Sequence, residues 1–148
     1  MRDNPAASEP PGCLYLHGRK LGLLHVLLDG RELRGHEYAL DDEGITIPGP
    51  PASFVLETLV EINPQANTAL EGLYRASDIY CTQCEAEGFR KISFFPDRPD
   101  VMTRYTTTLV GDVDSAPVLL ANGNLVDSGG LEDGRHFATF EDPFPKPS

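Results

Sequence analysis

Cysteine is scarce in this chain. Three thiols, Cys13, Cys81 and Cys84, are an odd number with two of them very close together, which excludes a conventional disulfide framework and favours a reducing compartment. Long apolar runs are missing too. No stretch approaches the ~20 residues needed to span a bilayer, and Met1-Arg2-Asp3-Asn4-Pro5 lacks the apolar core of a secretory leader. A cytoplasmic location without membrane contact is the expectation. Basic residues are few: 12 Lys and Arg stand against 23 Asp and Glu, a net charge of -11. That excess repels phosphate backbones and anionic lipid headgroups, so nucleic acid is excluded as a partner, whereas cationic ligands are favoured.

Catalytic signatures are also wanting. His36-Glu37 begins the metallopeptidase pattern H-E-x-x-H, but position 40 is Leu40, and two imidazoles one helical turn apart are required to meet one ion. Neither a nucleophile elbow nor a phosphate-binding loop is present. Cys81-x-x-Cys84 would need two further zinc ligands, and Cys13, His17, His25, His36 and His136 are scattered without ligand spacing. A βαβ context for a redox pair is absent as well, so these thiols read as small, part-buried side chains. The four histidines read as ordinary strand or surface residues. No catalytic residue and no metal ligand is assigned.

What is present is a series of short strands separated by strong turn signals. Cys13–His17 and Leu21–Leu28 flank Gly18-Arg19-Lys20, and the second run stops at the hairpin dipeptide Asp29-Gly30. His36–Leu40 and Gly44–Ile47 flank Asp41-Asp42-Glu43. In Phe54–Ile62, Phe54, Leu56, Val60 and Ile62 fall on one face and the solvated Glu57 and Glu61 on the other, until Asn63-Pro64 ends the strand. Asn67–Tyr74 is weakened by Gly72 and is expected to form at most a turn. Ile92–Phe95 and the β-branched run Thr103–Val110 predict further strands. Hairpins are expected at Asn122-Gly123, between Val118–Ala121 and Asn124–Asp127, and at Asp133-Gly134, between Leu131-Glu132 and Arg135–Glu141. Asp142–Ser148 carries three prolines and cannot be a central strand. The fold class is therefore all-β, an antiparallel β-sandwich or saddle-like sheet over residues 13–142. An irregular lead-in, 1–12, precedes it and a proline-rich end, 143–148, follows it. The irregular ends suggest missing flanking strands, and with them exposed edges that favour self-association.

One stretch stands apart. Cys81-Thr82-Gln83-Cys84-Glu85-Ala86-Glu87-Gly88-Phe89-Arg90 fits neither helix nor strand periodicity and crowds thiols, an amide, carboxylates and an arginine together. Such a segment suits capture of a small cationic group, with Glu85 and Glu87 supplying charge and Gln83 directional hydrogen bonds. On composition alone Glu85 reads first as a surface carboxylate in a loop.

Three segments taken together carry a resemblance: Asn67–Tyr74, the Cys81–Arg90 stretch, and Phe95-Pro96-Asp97-Arg98-Pro99-Asp100-Val101. Asn122-Gly123-Asn124, Leu131–His136 and Glu141–Pro147 continue it in the same order. With these the chain resembles the N-terminal domain of the bacterial-type aminopeptidase N family, gluzincin zinc aminopeptidases. Residues 14–62 match more by pattern than by motif. The resemblance implies a β-rich domain ahead of a thermolysin-like catalytic domain and a helical C-terminal domain. It implies that Glu85 grips the free α-ammonium of a peptide and that Gln83 lines the pocket for its first side chain. Zinc would belong to the parent enzyme, its ligands and the Gly-x-Met-Glu-Asn loop lying beyond Ser148. The partners implied are peptide N-termini and the catalytic domain of the same parent chain. This chain alone would contribute recognition and no chemistry. The rival reading is a stand-alone β-rich binding or interaction module without peptidase activity.

Overall fold

The computed structural model describes residues 12–148, so the expected lead-in lies almost wholly outside the described residues. Two compact units divide the chain, one ending at Arg98 and the other beginning at Pro99. Every strand pairing among the described residues is antiparallel, as the turn-punctuated pattern predicts.

In the first unit, β1 (Cys13–His17) and β2 (Gly22–Leu28) are followed by the two-residue β3 (Arg31–Glu32) and β4 (Ala39–Leu40), then β5 (Gly44–Pro48) and β6 (Leu56–Glu61). One sheet has the order β1-β5-β4 and another β3-β2-β6. Their inward side chains meet in one core, in which Leu14, Leu16, Ile45 and Ile47 of the first sheet join Val26 of the second, with Leu33 and Phe94 closing it. Ile45 is wholly buried. Leu56 and Val60 face that core while Glu57 and Glu61 are exposed, the division expected of a half-buried strand. Asp29 and Gly30 have φ of 50° and 75°, the two left-handed residues of a type I′ turn, whose twist matches the flanking strands. His36–Leu40 is strand only over Ala39–Leu40. Asp41 folds back there, its Oδ1 accepting from the amides of Glu43 and Gly44 at 2.8 and 2.9 Å.

β7 (Gly72–Ala76) and β8 (Ile79–Gln83) form a separate hairpin. Three expectations are corrected here. Asn67–Tyr74 does not stop at a turn, because Gly72 opens β7 with a φ of 72° instead of weakening a helix. The Cys81–Arg90 stretch is not irregular throughout, since Cys81–Gln83 lie on β8 and Phe89–Lys91 form a 3-10 turn. Nor is Ile92–Phe95 a strand. Only Phe95 pairs, exchanging both backbone hydrogen bonds with His17 at 2.9 and 3.0 Å.

The second unit is a three-stranded sheet, β10 (Asn124–Gly130), β11 (Arg135–Lys146) and β9 (Thr103–Asp112), with β11 in the middle. Leu109, Ala138 and Phe140 share its covered face, and Thr108 and Thr139 hydrogen-bond at 2.9 Å on the other. The Asp133-Gly134 turn forms between β10 and β11, although Leu131-Glu132 belong to the connection and not to a strand. The Asn122-Gly123 hairpin does not form. β10 instead takes the long ladder offered by β11, and Val118 and Leu120 remain exposed. Asp142–Lys146 do belong to the central strand, contrary to expectation. Pairing with β10 ends at Asn124 and Glu141, so beyond that point β11 is paired, among the described residues, on its β9 side alone, where proline is tolerated.

Candidate functional site

The two residues singled out for recognition sit where β8 runs out. Gln83 is its last residue, opposite Gly72 in the ladder, and Glu85 follows two residues later; both are exposed. Gln83 Nε2 donates to the backbone carbonyl of Glu85 at 2.9 Å, which brings the pair into one local arrangement. The Glu85–Ala86 peptide is cis. Glu87 takes a left-handed backbone, φ 66°, a conformation that non-glycine residues seldom adopt. Gly88 follows, its amide donating to the Cys84 carbonyl at 2.8 Å. A Cβ at Gly88 would lie 2.5 Å from the Gln83 carbonyl oxygen, so only glycine lets the chain close this tightly.

Arg90 and Asp97 hold the far end of the loop, and both are buried, at 7% and 1% exposure. The Arg90 backbone amide and Nε both donate to Asp97 Oδ2, at 3.0 and 2.9 Å, and Nη2 donates to the Asp97 carbonyl at 2.7 Å. Nη2 also lies 3.3 Å from Glu87 Oε1. A second tie joins Glu71, just before β7, to Lys91. Asn67 Nδ2 donates to the carbonyls of Glu71 and Leu73 at 2.7 and 2.9 Å, steadying the start of that strand. The Arg90–Asp97 pair was not singled out from sequence. Its signal was Gly88 two residues ahead of an arginine, and Asp97 set between Pro96 and Pro99, which turn the chain back.

Electrostatics separates the remaining candidates. Burial, and secondarily the Asp97 charge, push the Cys84 thiol up, which keeps it protonated and a poor nucleophile or metal ligand near neutrality. Burial, with the Arg90 charge second, holds the His17 imidazole below its ordinary value; its Nδ1 is buried and meets no partner among the described residues. His136 Nε2 lies 2.7 Å from the Ala116 carbonyl, an ordinary structural contact. Zinc does not fit this chain: among the described residues no three His, Cys, Asp or Glu side chains converge as a metal site would require. Two concavities open in the first unit. One is lined by Lys20, Asn63, Asn67, Leu73 and Lys91, the other by Arg19, Lys20, Asp41, Asp42 and Phe94, and neither includes Gln83 or Glu85. No helix among the described residues is long and apolar enough to cross a membrane.

Comparison with known proteins bears on this arrangement. Residues 19–148 match the model of the peptidase M1 N-terminal domain. The chain belongs to that family. Aminopeptidase N of Caulobacter vibrioides is 54% identical over all 148 residues, which make up 17% of that protein. Aminopeptidase N of Escherichia coli is 47% identical over 142 residues, covering 95% of this chain and 16% of that protein. The crystal structure of Legionella pneumophila aminopeptidase A in complex with aspartic acid superposes with a TM-score of 0.90 at 32% identity, covering 98% of this chain and 17% of that one. This M1 N-terminal domain thus spans about one sixth of the length of the relatives it matches.

Proposed function

We propose that this M1 N-terminal domain recognises substrate N-termini for a longer, cytoplasmic zinc aminopeptidase that releases N-terminal amino acids from peptides. Glu85 binds the α-ammonium, and Gln83 lines the space for the first side chain. The zinc and its chemistry come from the remainder of the parent chain, because the residues here offer no ligand set. The observation that carries the reading is 54% identity along the whole chain to an aminopeptidase N, with Glu85 and Gln83 exposed on a loop whose ends are anchored. The aspartic acid bound by the Legionella relative is a free amino acid carrying the same α-ammonium group.

The physical sense is that an exopeptidase must detect a chain end. A carboxylate and an ammonium form a charge-assisted hydrogen bond, worth about 1.5–3 kcal/mol. Anchoring that bond at a fixed distance from the reacting centre presents only the first peptide bond. In the full-length enzyme, Glu85→Gln should lower kcat/KM on free-amine peptides by about tenfold to about 150-fold, with little change in melting temperature. Unchanged kinetics would remove Glu85 from the site. The alternative, a stand-alone β-rich binding module, is separated by reading the gene: an in-frame H-E-x-x-H after Ser148 supports the peptidase, and a stop codon supports the module.

A further inference from the structure

We propose that Arg90, gripped by Asp97, is a positioning residue that sets where Glu85 and Gln83 stand, acting through Glu87. The proposal rests on the reading of Glu85 and Gln83 as substrate-end groups. The loop leaves β8 at Gln83 and runs into the 3-10 turn Phe89–Lys91, where Arg90 is buried, so Gln83 and Arg90 mark its two ends. At the first, backbone pairing with Gly72 fixes Gln83. At the second, one guanidinium engages the Asp97 carboxylate, the Asp97 carbonyl and, reaching back, Glu87. Only the planar arginine fork can serve three acceptors in this way.

A buried ion pair is seldom needed for stability, since apolar replacements of similar volume often do as well; its value lies in geometry. The geometry here is demanding. Glu87 has a left-handed backbone, and Gly88 leaves no room for a side chain against Gln83. The Arg90 contact with Glu87 holds the first of these in place, one residue from the peptide that follows Glu85. The Arg90 carbonyl also accepts from the Arg19 amide at 2.8 Å, and Phe95, two residues before Asp97, is paired with His17 of β1. The loop is thereby referred to the core of the first unit.

The test uses the full-length enzyme and aminoacyl-anilide substrates, with Glu85→Gln as reference. Replacing the pair together, Arg90→Met with Asp97→Leu, should raise KM about tenfold with a smaller change in kcat, and should lower the melting temperature because the buried Arg90 amide loses its acceptor. Glu87→Gln, at a side chain 58% exposed, should raise KM about two- to fivefold without affecting folding. Arg90→Lys, which keeps charge and loses the fork, should follow the double variant. If the double variant does not fold, Glu87→Gln and Arg90→Lys decide. Wild-type KM in these variants, alone or with a lowered melting temperature, overturns the inference while Glu85→Gln still impairs binding. If Glu85→Gln itself has no effect, the underlying reading fails and this inference with it.

Discussion

Gly88→Ala offers a direct test of how tightly the candidate site is built. The added methyl would lie 2.5 Å from the Gln83 carbonyl oxygen and 2.9 Å from Cys84 Cα, and both are backbone atoms that cannot rotate away. Restoring ordinary contact requires the Gln83–Gly88 loop to open by about 0.9 Å. Overpacking of this kind costs about 1–3 kcal/mol, a loss of about 2–12 °C in melting temperature for a chain of this length. Because the displaced atoms carry Gln83 and flank Glu85, kcat/KM on free-amine peptides should fall by up to about a hundredfold in the full-length enzyme. Gly35→Ala is the matched control. A Cβ there meets nothing within 4 Å, and the change should be neutral or stabilise by about 0.4–1 kcal/mol. Thermal unfolding and steady-state kinetics on both variants settle it: indistinguishable behaviour would refute the close-approach argument.

Two further outcomes concern the scaffold. The His17 imidazole is held below its ordinary value, so the stability it contributes is full above about pH 6.5 and is lost as pH falls from there toward the folded-state value. His17→Phe, which keeps an aromatic ring, should flatten the decline of melting temperature between about pH 7 and pH 5; parallel profiles would remove His17 as the cause. At the β2–β3 turn, Asp29 combines a φ of 50° with an Oδ1 that accepts from the Val55 amide at 2.8 Å. Asp29→Ala should cost about 1–2 kcal/mol and Asp29→Asn far less, since asparagine tolerates the conformation and keeps an acceptor. Urea midpoints that rank Asn with Ala would contradict this.

The parts of the fold legible in the sequence are those decided locally. β1 and β2 are short apolar runs closed by turn residues, β6 divides Leu56 and Val60 from Glu57 and Glu61, β9 is rich in β-branched threonine, and Asp29-Gly30 and Asp133-Gly134 are turns whose chemistry is self-contained. What sequence missed was decided by distant partners. Asn122-Gly123 is a sound hairpin signal, yet β10 gains more backbone pairing from β11 than Val118–Ala121 could return. Gly72 reads as a helix breaker but serves as the left-handed entry to β7. For the site, Gln83 and Glu85 stood out as polar groups crowded between strands, but their separate roles came only through resemblance, because an exposed carboxylate carries no local mark of purpose. Arg90 and Asp97 stayed hidden because their partnership depends on the chain turning back over Ile92–Phe95, which reads as a strand and is not one.

The prolines at 143 and 145 have a bearing on how this chain behaves in a crowded cell. They fall where β11 has outrun β10 and, among the described residues, has no strand on that flank. Lacking amide hydrogens, they deny a stray strand from another molecule the donors it would need to zip on there. Among the described residues, a stray strand would find a fuller set of donors along the other outer edges of the sheets, such as those of β9 and β10.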